Sequence, residues 1–82
     1  MNDNKFHSLK ELYDHLYPAF NTKVNMLKSN NIIIKEVQLW QFLKDNYWTN
    51  NKDLDIYKMV DDILSLDDDI IKKDILGEYY DN

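Results

Sequence analysis

The sequence has no cysteine, and all ten of its basic residues are lysine, since arginine is absent. The lack of cysteine excludes a disulfide framework and any metal site built from thiolates. The lack of arginine removes the planar guanidinium that suits bidentate contacts to phosphate and guanine. Only one glycine and one proline occur, which is too few for a meander of β-turns or a disordered linker.

Long apolar runs are missing as well, because no stretch approaches the ~20 residues needed to span a bilayer. Phe6 is followed at once by His7 and Ser8, which leaves no apolar region of a signal peptide. We therefore expect a cytoplasmic protein without membrane insertion.

A chain of 82 residues is long enough for one domain with a modest core. We expect a single helical domain over residues 1–82, with a flexible N-terminus over residues 1–7 and a flexible tail over residues 78–82. Tyr79 and Tyr80 are candidates to fold back from this tail.

Charge is unevenly spread along the chain. Residues 1–44 contain six lysines against four acidic residues, a net charge of +2. Residues 45–82 contain four lysines against eleven acidic residues, a net charge of −7, which completes the total of −5. The acidic character therefore belongs to the second half.

Residues 8–29 have the pattern of one long helix. Ser8 and Glu11 are spaced as a capping box. Apolar residues follow one stripe, at Leu9, Leu12, Tyr13, Leu16, Ala19, Phe20, Val24 and Leu27. Pro18 lies opposite the stripe, which predicts one helix kinked on its solvent side. The alternative is a break at Tyr17, with a new helix that starts at Pro18.

The next segment predicts a turn and a connector. Asn30 and Asn31 suit a left-handed stop, because asparagine tolerates positive φ. Residues 32–34 are three isoleucines, which could form a strand, but no second strand is available to pair with it. We interpret them as a buried linker.

A second helix is predicted over residues 35–47. Its apolar face contains Val37, Leu39, Trp40, Phe42, Leu43 and Tyr47. This arc covers about 240° of the helix, wider than a surface helix needs, so we expect neighbours on more than one side. Trp40 is then a core residue, whereas Trp48, at the helix end, is either at the rim of the core or partly exposed.

Two more helices follow. Asp53 is the expected N-cap of a helix over residues 54–66, whose apolar arc contains Leu54, Ile56, Tyr57, Met59, Val60, Ile63 and Leu64. Asp67 or Asp68 then caps a shorter helix that contains Ile70, Ile71, Ile75 and Leu76. Gly77 suits the end of that helix.

These patterns predict an all-α fold, a small helical bundle of three main helices plus a short C-terminal helix. At its centre we expect Leu16, Phe20, Trp40, Leu43, Val60 and Leu64.

No pattern indicates a metal, a cofactor or an enzyme. His7, Glu11 and His15 are spaced by four residues, but the first and last lie about 12 Å apart along a helix, too far for one ion. The acidic run at residues 67–69 lacks the order of a calcium loop. No nucleophile elbow or glycine-rich phosphate loop is present.

Lys23 interrupts the apolar stripe of the first helix. A lysine in this position usually packs its stem and keeps its ammonium in water. The functional alternative places it at the edge of a groove, where it would contact phosphate or carboxylate.

Several short blocks resemble one family: Leu16-Tyr17-Pro18 with Lys23, Leu39-Trp40 with Phe42-Leu43, Trp48, Val60, and Asp62-Ile63-Leu64-Ser65. In order and spacing, across about residues 9–75, they are similar to the ComN-type post-transcriptional regulators of low-GC Gram-positive bacteria. The resemblance implies a cytoplasmic regulator of gene expression at the mRNA level, acting directly or through a partner. Family members commonly have a lysine-rich stretch around the second tryptophan, whereas residues 45–50 here are not basic.

Two hypotheses for function follow. In the first, the protein contacts mRNA itself, through Lys10, Lys23, Lys28 and Lys44, with Trp48 as a stacking ring. In the second, it is an adaptor whose apolar, aromatic-rimmed groove binds a regulatory partner protein without RNA contact, and the acidic half attracts a basic partner. The net charge favours the second.

Apolar arcs this wide also predict spare apolar surface, and such patches commonly mark an interface. The candidates are Tyr13, Tyr17, Trp48, Tyr79 and Tyr80, because aromatic residues with a polar tip tolerate both water and a partner. We expect either a weak homodimer or a patch that belongs to another protein.

Overall fold

The computed structural model describes residues 8–49 and 54–77. It contains helices α1 (Leu9–Ser29), α2 (Glu36–Asn46), α3 (Ile56–Ser65) and α4 (Asp68–Ile70), the last continuing into a π-helical turn (Ile71–Ile75). No strand occurs in the two described ranges, so the predicted all-α class is confirmed. The expected flexible ends, residues 1–7 and 78–82 with Tyr79 and Tyr80, lie outside the described residues.

Helix α1 runs without a break through Pro18. At its start, the Ser8 hydroxyl accepts from the Glu11 amide at 3.1 Å, as the capping box predicts. Pro18 is exposed, so its ring lies on the solvent side of the helix, as the position opposite the apolar stripe predicts. The alternative of two helices is therefore wrong, while the kink stays a prediction.

The end of α1 is a Schellman motif. Asn31 has φ 65°, its amide donates to Lys28 at 3.0 Å, and the Ile32 amide donates to Leu27 at 2.9 Å. This pair of bonds satisfies carbonyls that a helix end leaves free, and the buried Leu27 and Ile32 supply the apolar contact typical of the motif. The predicted asparagine stop is confirmed.

Helix α1 is the common support of the fold, because both α2 and α3 pack on it, while the π turn packs on α2. The prediction that α2 has neighbours on more than one side is therefore confirmed. The buried apolar core consists of Leu16, Phe20, Leu27, Ile32, Ile34, Leu39, Trp40, Leu43, Trp48, Met59, Ile63, Leu66 and Ile71.

Several apolar residues expected inside are exposed. In the connector only Ile32 and Ile34 are buried, whereas Ile33 is 70% exposed, because alternate side chains of an extended segment point to opposite sides. Leu9 is exposed in the first turn of α1. Val37 and Tyr47 are exposed as well. Val37 lies roughly 110° from the centre of the buried face of α2, and Tyr47 follows the last helical residue.

Helix α3 begins later than predicted. Its N-cap is Asp55, whose carboxylate accepts from the Lys58 amide at 2.8 Å; Asp53, the predicted cap, lies outside the described residues. Tyr57 is 83% exposed.

The prediction that Val60 and Leu64 lie at the centre of the fold is also wrong. Leu64 is exposed and Val60 is half-buried, whereas Ile63 is fully buried. The buried face of α3 is narrower than its apolar arc, because the strong packing of this helix is against α1 alone.

The C-terminal segment starts as predicted at Asp67, whose carboxylate accepts from the Asp69 amide at 2.9 Å. After α4 the backbone switches to the wider π spacing, in which the Leu76 amide donates to Ile71 at 3.0 Å. Gly77 follows with φ 70°, a conformation that glycine adopts without strain, so the predicted stop is confirmed.

Candidate functional site

Lys23 is buried, with only 4% of its surface exposed. Its ammonium donates to the carbonyl of Leu66 at 2.7 Å and of Leu64 at 3.1 Å. These carbonyls belong to the end of α3, where a helix has free acceptors and partial negative charge. Lys23 therefore caps a helix on another part of the chain, so both expectations of an ammonium in water or at a groove edge are wrong.

Trp48 is also inside the fold, 7% exposed. Its ring lies 6.3 Å from that of Trp40, and its indole N–H donates to Asp62 at 2.9 Å. The other oxygen of Asp62 accepts from Lys58 at 2.9 Å. In this structure the ring is a core residue that ties the end of α2 to α3, and it offers no face for a nucleotide base.

The other candidate lysines are dispersed. Lys10 and Lys28 are both exposed on α1, but 18 residues of helix separate their α-carbons by about 27 Å. Lys10 is paired with Asp14 at 2.8 Å, and this contact raises the pKa of Lys10. Lys44, on α2, contacts Asp45 at 3.3 Å. The structure does not bring the lysines into one basic patch.

Tyr13 and Tyr17 form an edge-to-face pair, with ring centroids 5.9 Å apart. Tyr13 is half-buried and continues the aromatic cluster to Trp40, at 5.3 Å. Tyr17 is exposed, beside Glu36 at the start of α2. Partial burial raises the pKa of Tyr17, and the negative charge of Glu36 adds to that effect.

Glu36 accepts from the side-chain amide of Asn21 at 2.9 Å, a bond that joins α1 to α2. This bond lowers the pKa of the Glu36 carboxyl. The polar edge beside Tyr17 is therefore negatively charged at neutral pH, which makes it unfavourable for phosphate.

An open groove of about 320 Å³ lies between the outer face of α2 and the π turn. It is lined by Gln38, Gln41, Phe42, Asp45, Asn46, Asp74 and Ile75. Sequence reasoning missed this groove, because it depends on how the C-terminal segment packs against α2. The sign of it in the sequence is a mostly polar face of α2, where Gln38, Gln41, Phe42, Asp45 and Asn46 recur at helical spacing.

In residues 8–49 and 54–77, no group of three or more potential ligands could hold a metal ion, and His7 lies outside these ranges. The same described residues contain no helix that is long and apolar enough to cross a membrane.

Comparison with protein families decides the identity. The family model described as "Post-transcriptional regulator" matches residues 9–71, which is more than half of the chain. The chain belongs to this family.

The post-transcriptional regulator match covers all of α1, α2 and α3 and ends at the start of the π turn. One wall of the groove, formed by Asp74 and Ile75, lies beyond the matched residues. The family is one of regulators, and its description names no reaction. No curated protein and no solved structure matches the chain.

Proposed function

We propose that this post-transcriptional regulator acts by binding a partner protein, as an adaptor, and does not itself grip mRNA. The observation that carries the proposal is the position of Lys23 and Trp48, the candidate phosphate and base contacts. Both are buried, and both are committed to hydrogen bonds within the fold. The protein would work in the cytoplasm, without catalysis and without a cofactor.

The remaining charges support the same proposal. Nonspecific RNA affinity comes mainly from phosphate neutralisation by clustered lysine and arginine. Here Lys10 and Lys44 have acidic neighbours at 2.8 and 3.3 Å, arginine is absent, and the net charge is −5. A protein of this charge would repel a polyanion at long range and attract a basic protein.

Direct RNA contact is the second candidate function, and a salt series tests it. The full chain is mixed with labelled single-stranded RNA at about 50 and 200 mM salt, beside a variant in which Lys10, Lys28 and Lys44 are replaced by alanine. We expect no binding at micromolar protein even at low salt. Binding that falls steeply with salt, and is lost in the triple variant while its circular dichroism is unchanged, would show that the protein grips phosphates.

The adaptor role has a test of its own. The tagged chain is recovered from a cell extract with and without nuclease, and the retained proteins are compared. We expect the same partner in both samples, because a protein–protein contact does not need RNA. A partner that disappears on nuclease treatment would show that RNA joins the two proteins.

A further inference from the structure

The groove between α2 and the π turn has two kinds of lining. Phe42 and Ile75 are half-buried and provide apolar surface. Asp45 and Asp74 are exposed carboxylates at the same groove. The side-chain amides of Gln38, Gln41 and Asn46 complete the lining. None of the described lysines is among these lining residues, but Lys44 pairs with Asp45 at 3.3 Å from beside the groove. Asp74 is therefore the carboxylate of the groove whose charge is not compensated by a described lysine.

The two carboxylates differ in their surroundings. One oxygen of Asp45 accepts from Gln41 at 3.1 Å and the other from Lys44 at 3.3 Å. These two contacts lower the pKa of Asp45, and the bond from Gln41 has the larger effect. Asp45 is therefore ionised at neutral pH. Asp74 has no hydrogen bond or ion pair with the described residues and is open to a ligand.

We propose that this groove receives a basic side chain, with its neighbours, from an exposed segment of a partner protein. The aliphatic stem of an arginine or lysine would lie along Phe42 and Ile75, since such stems pack readily on apolar surface. Its cationic end would reach Asp74, with Asp45 and the amide oxygens nearby. The inference rests on the proposed function, because it names the chemistry of the partner that an adaptor needs.

Size and charge favour a protein segment as the occupant. A volume of about 320 Å³ is near the lower end of ligand sites, enough to receive a few side chains. The carboxylate of Asp74, which has no described cationic partner, disfavours phosphate groups. The net charge of −7 on residues 45–82 attracts a basic segment over a Debye length of about 8 Å.

The probe is an arginine-leucine peptide of about 11 residues, three helical turns, with a glutamate-leucine peptide of the same length as its control. Each is titrated into the isotope-labelled full chain and followed by NMR. We expect the arginine peptide alone to shift the side-chain amides of Gln38, Gln41 and Asn46 and the backbone amides of Asp74 and Ile75.

Two charge reversals form a matched pair. Asp74→Lys removes a carboxylate from the groove, while Asp61→Lys changes an exposed carboxylate on α3, away from the groove. Both raise the net charge of −5 by two units. We expect Asp74→Lys to weaken binding of the arginine peptide by about three- to tenfold, because the reversal removes one attraction and adds a repulsion of similar size. Asp61→Lys should weaken that binding by less than about twofold.

The outcomes separate the groove from its alternatives. Absence of binding, or equal weakening by both reversals, would overturn the inference, because the second result indicates attraction by the whole acidic half. Displacement of the peptide by equimolar spermidine would also overturn it, since the site would then hold any polycation. In each case a nuclease-resistant partner would leave the proposed adaptor function standing.

Discussion

Replacement of Lys23 by methionine tests whether a buried ammonium holds α3 on α1. Methionine keeps most of the stem volume but donates no hydrogen bond. The carbonyl of Leu66 then loses its partner in a buried place, which costs about 1–3 kcal/mol. The carbonyl of the exposed Leu64 can turn to water and costs less.

Two further effects have opposite signs. Loss of a positive charge at a helix C-terminus removes up to about 2 kcal/mol of stabilisation. Methionine, however, avoids the cost of holding a charge away from water. We expect a net loss of about 2–3 kcal/mol, a large part of the roughly 4–12 kcal/mol expected for a chain of 82 residues.

Urea unfolding followed by tryptophan fluorescence and far-UV circular dichroism measures this loss, with the slope m compared to check that the folded state is equally compact. Lys28→Met is the matched control, because Lys28 is exposed in the last turn of α1 and should contribute no more than about 0.3–1 kcal/mol. If Lys23→Met were as stable as Lys28→Met, the cap would contribute nothing and the reasoning would be refuted.

Four further measurements test the fold. Trp40→Ala should lose about 3–5 kcal/mol, because a large buried ring is removed, and unchanged melting would contradict the core. Trp48→Phe keeps an aromatic ring but loses the hydrogen bond to Asp62, so the free energy of unfolding should fall by about 1.5–3 kcal/mol. An unchanged free energy of unfolding would show that this bond contributes nothing. The pKa of Glu36 in the folded protein lies below its ordinary 4.5, chiefly because of the bond from Asn21. The stabilisation that Glu36 provides is therefore complete above pH 4.5 and is lost as the pH falls through the lower pKa of the folded state. In the Asn21→Ala variant, NMR titration should show a higher pKa for Glu36. Sedimentation equilibrium separates the two expectations for the spare apolar surface: weak concentration-dependent dimerisation would indicate a homodimer, whereas ideal monomers up to near-millimolar protein would leave the patch to another protein.

Features fixed by neighbours in the sequence were predictable. The Ser8 cap, the Asn31 turn and the Asp67 cap each depend on a few adjacent residues, and residue type determines such local bonds. The α1 stripe likewise predicted that Leu16 and Phe20 are buried.

Features that depend on packing were not predictable. An apolar arc does not tell which of its residues a neighbour covers, so Tyr57 and Leu64 were misplaced. A lysine within an apolar stripe signalled something unusual at Lys23, but its acceptors lie 41 and 43 residues later in the chain. The groove at Asp74 could not be predicted, because its position depends on how the C-terminal segment packs against α2.

The long separation between Lys23 and its acceptors has a consequence for synthesis on the ribosome. Lys23 is synthesised well before Leu66. Until the carbonyls of Leu64 and Leu66 are present, the ammonium of Lys23 has neither of its acceptors in the folded protein. At about 5–20 residues per second, the 43 residues that follow Lys23, up to and including Leu66, take several seconds to add. During that interval the nascent chain exposes the face of α1 that later packs against α3. Completion of the fold is thus postponed until the end of α3 has left the exit tunnel, and a chain stopped before Leu66 would remain open to chaperones and proteases.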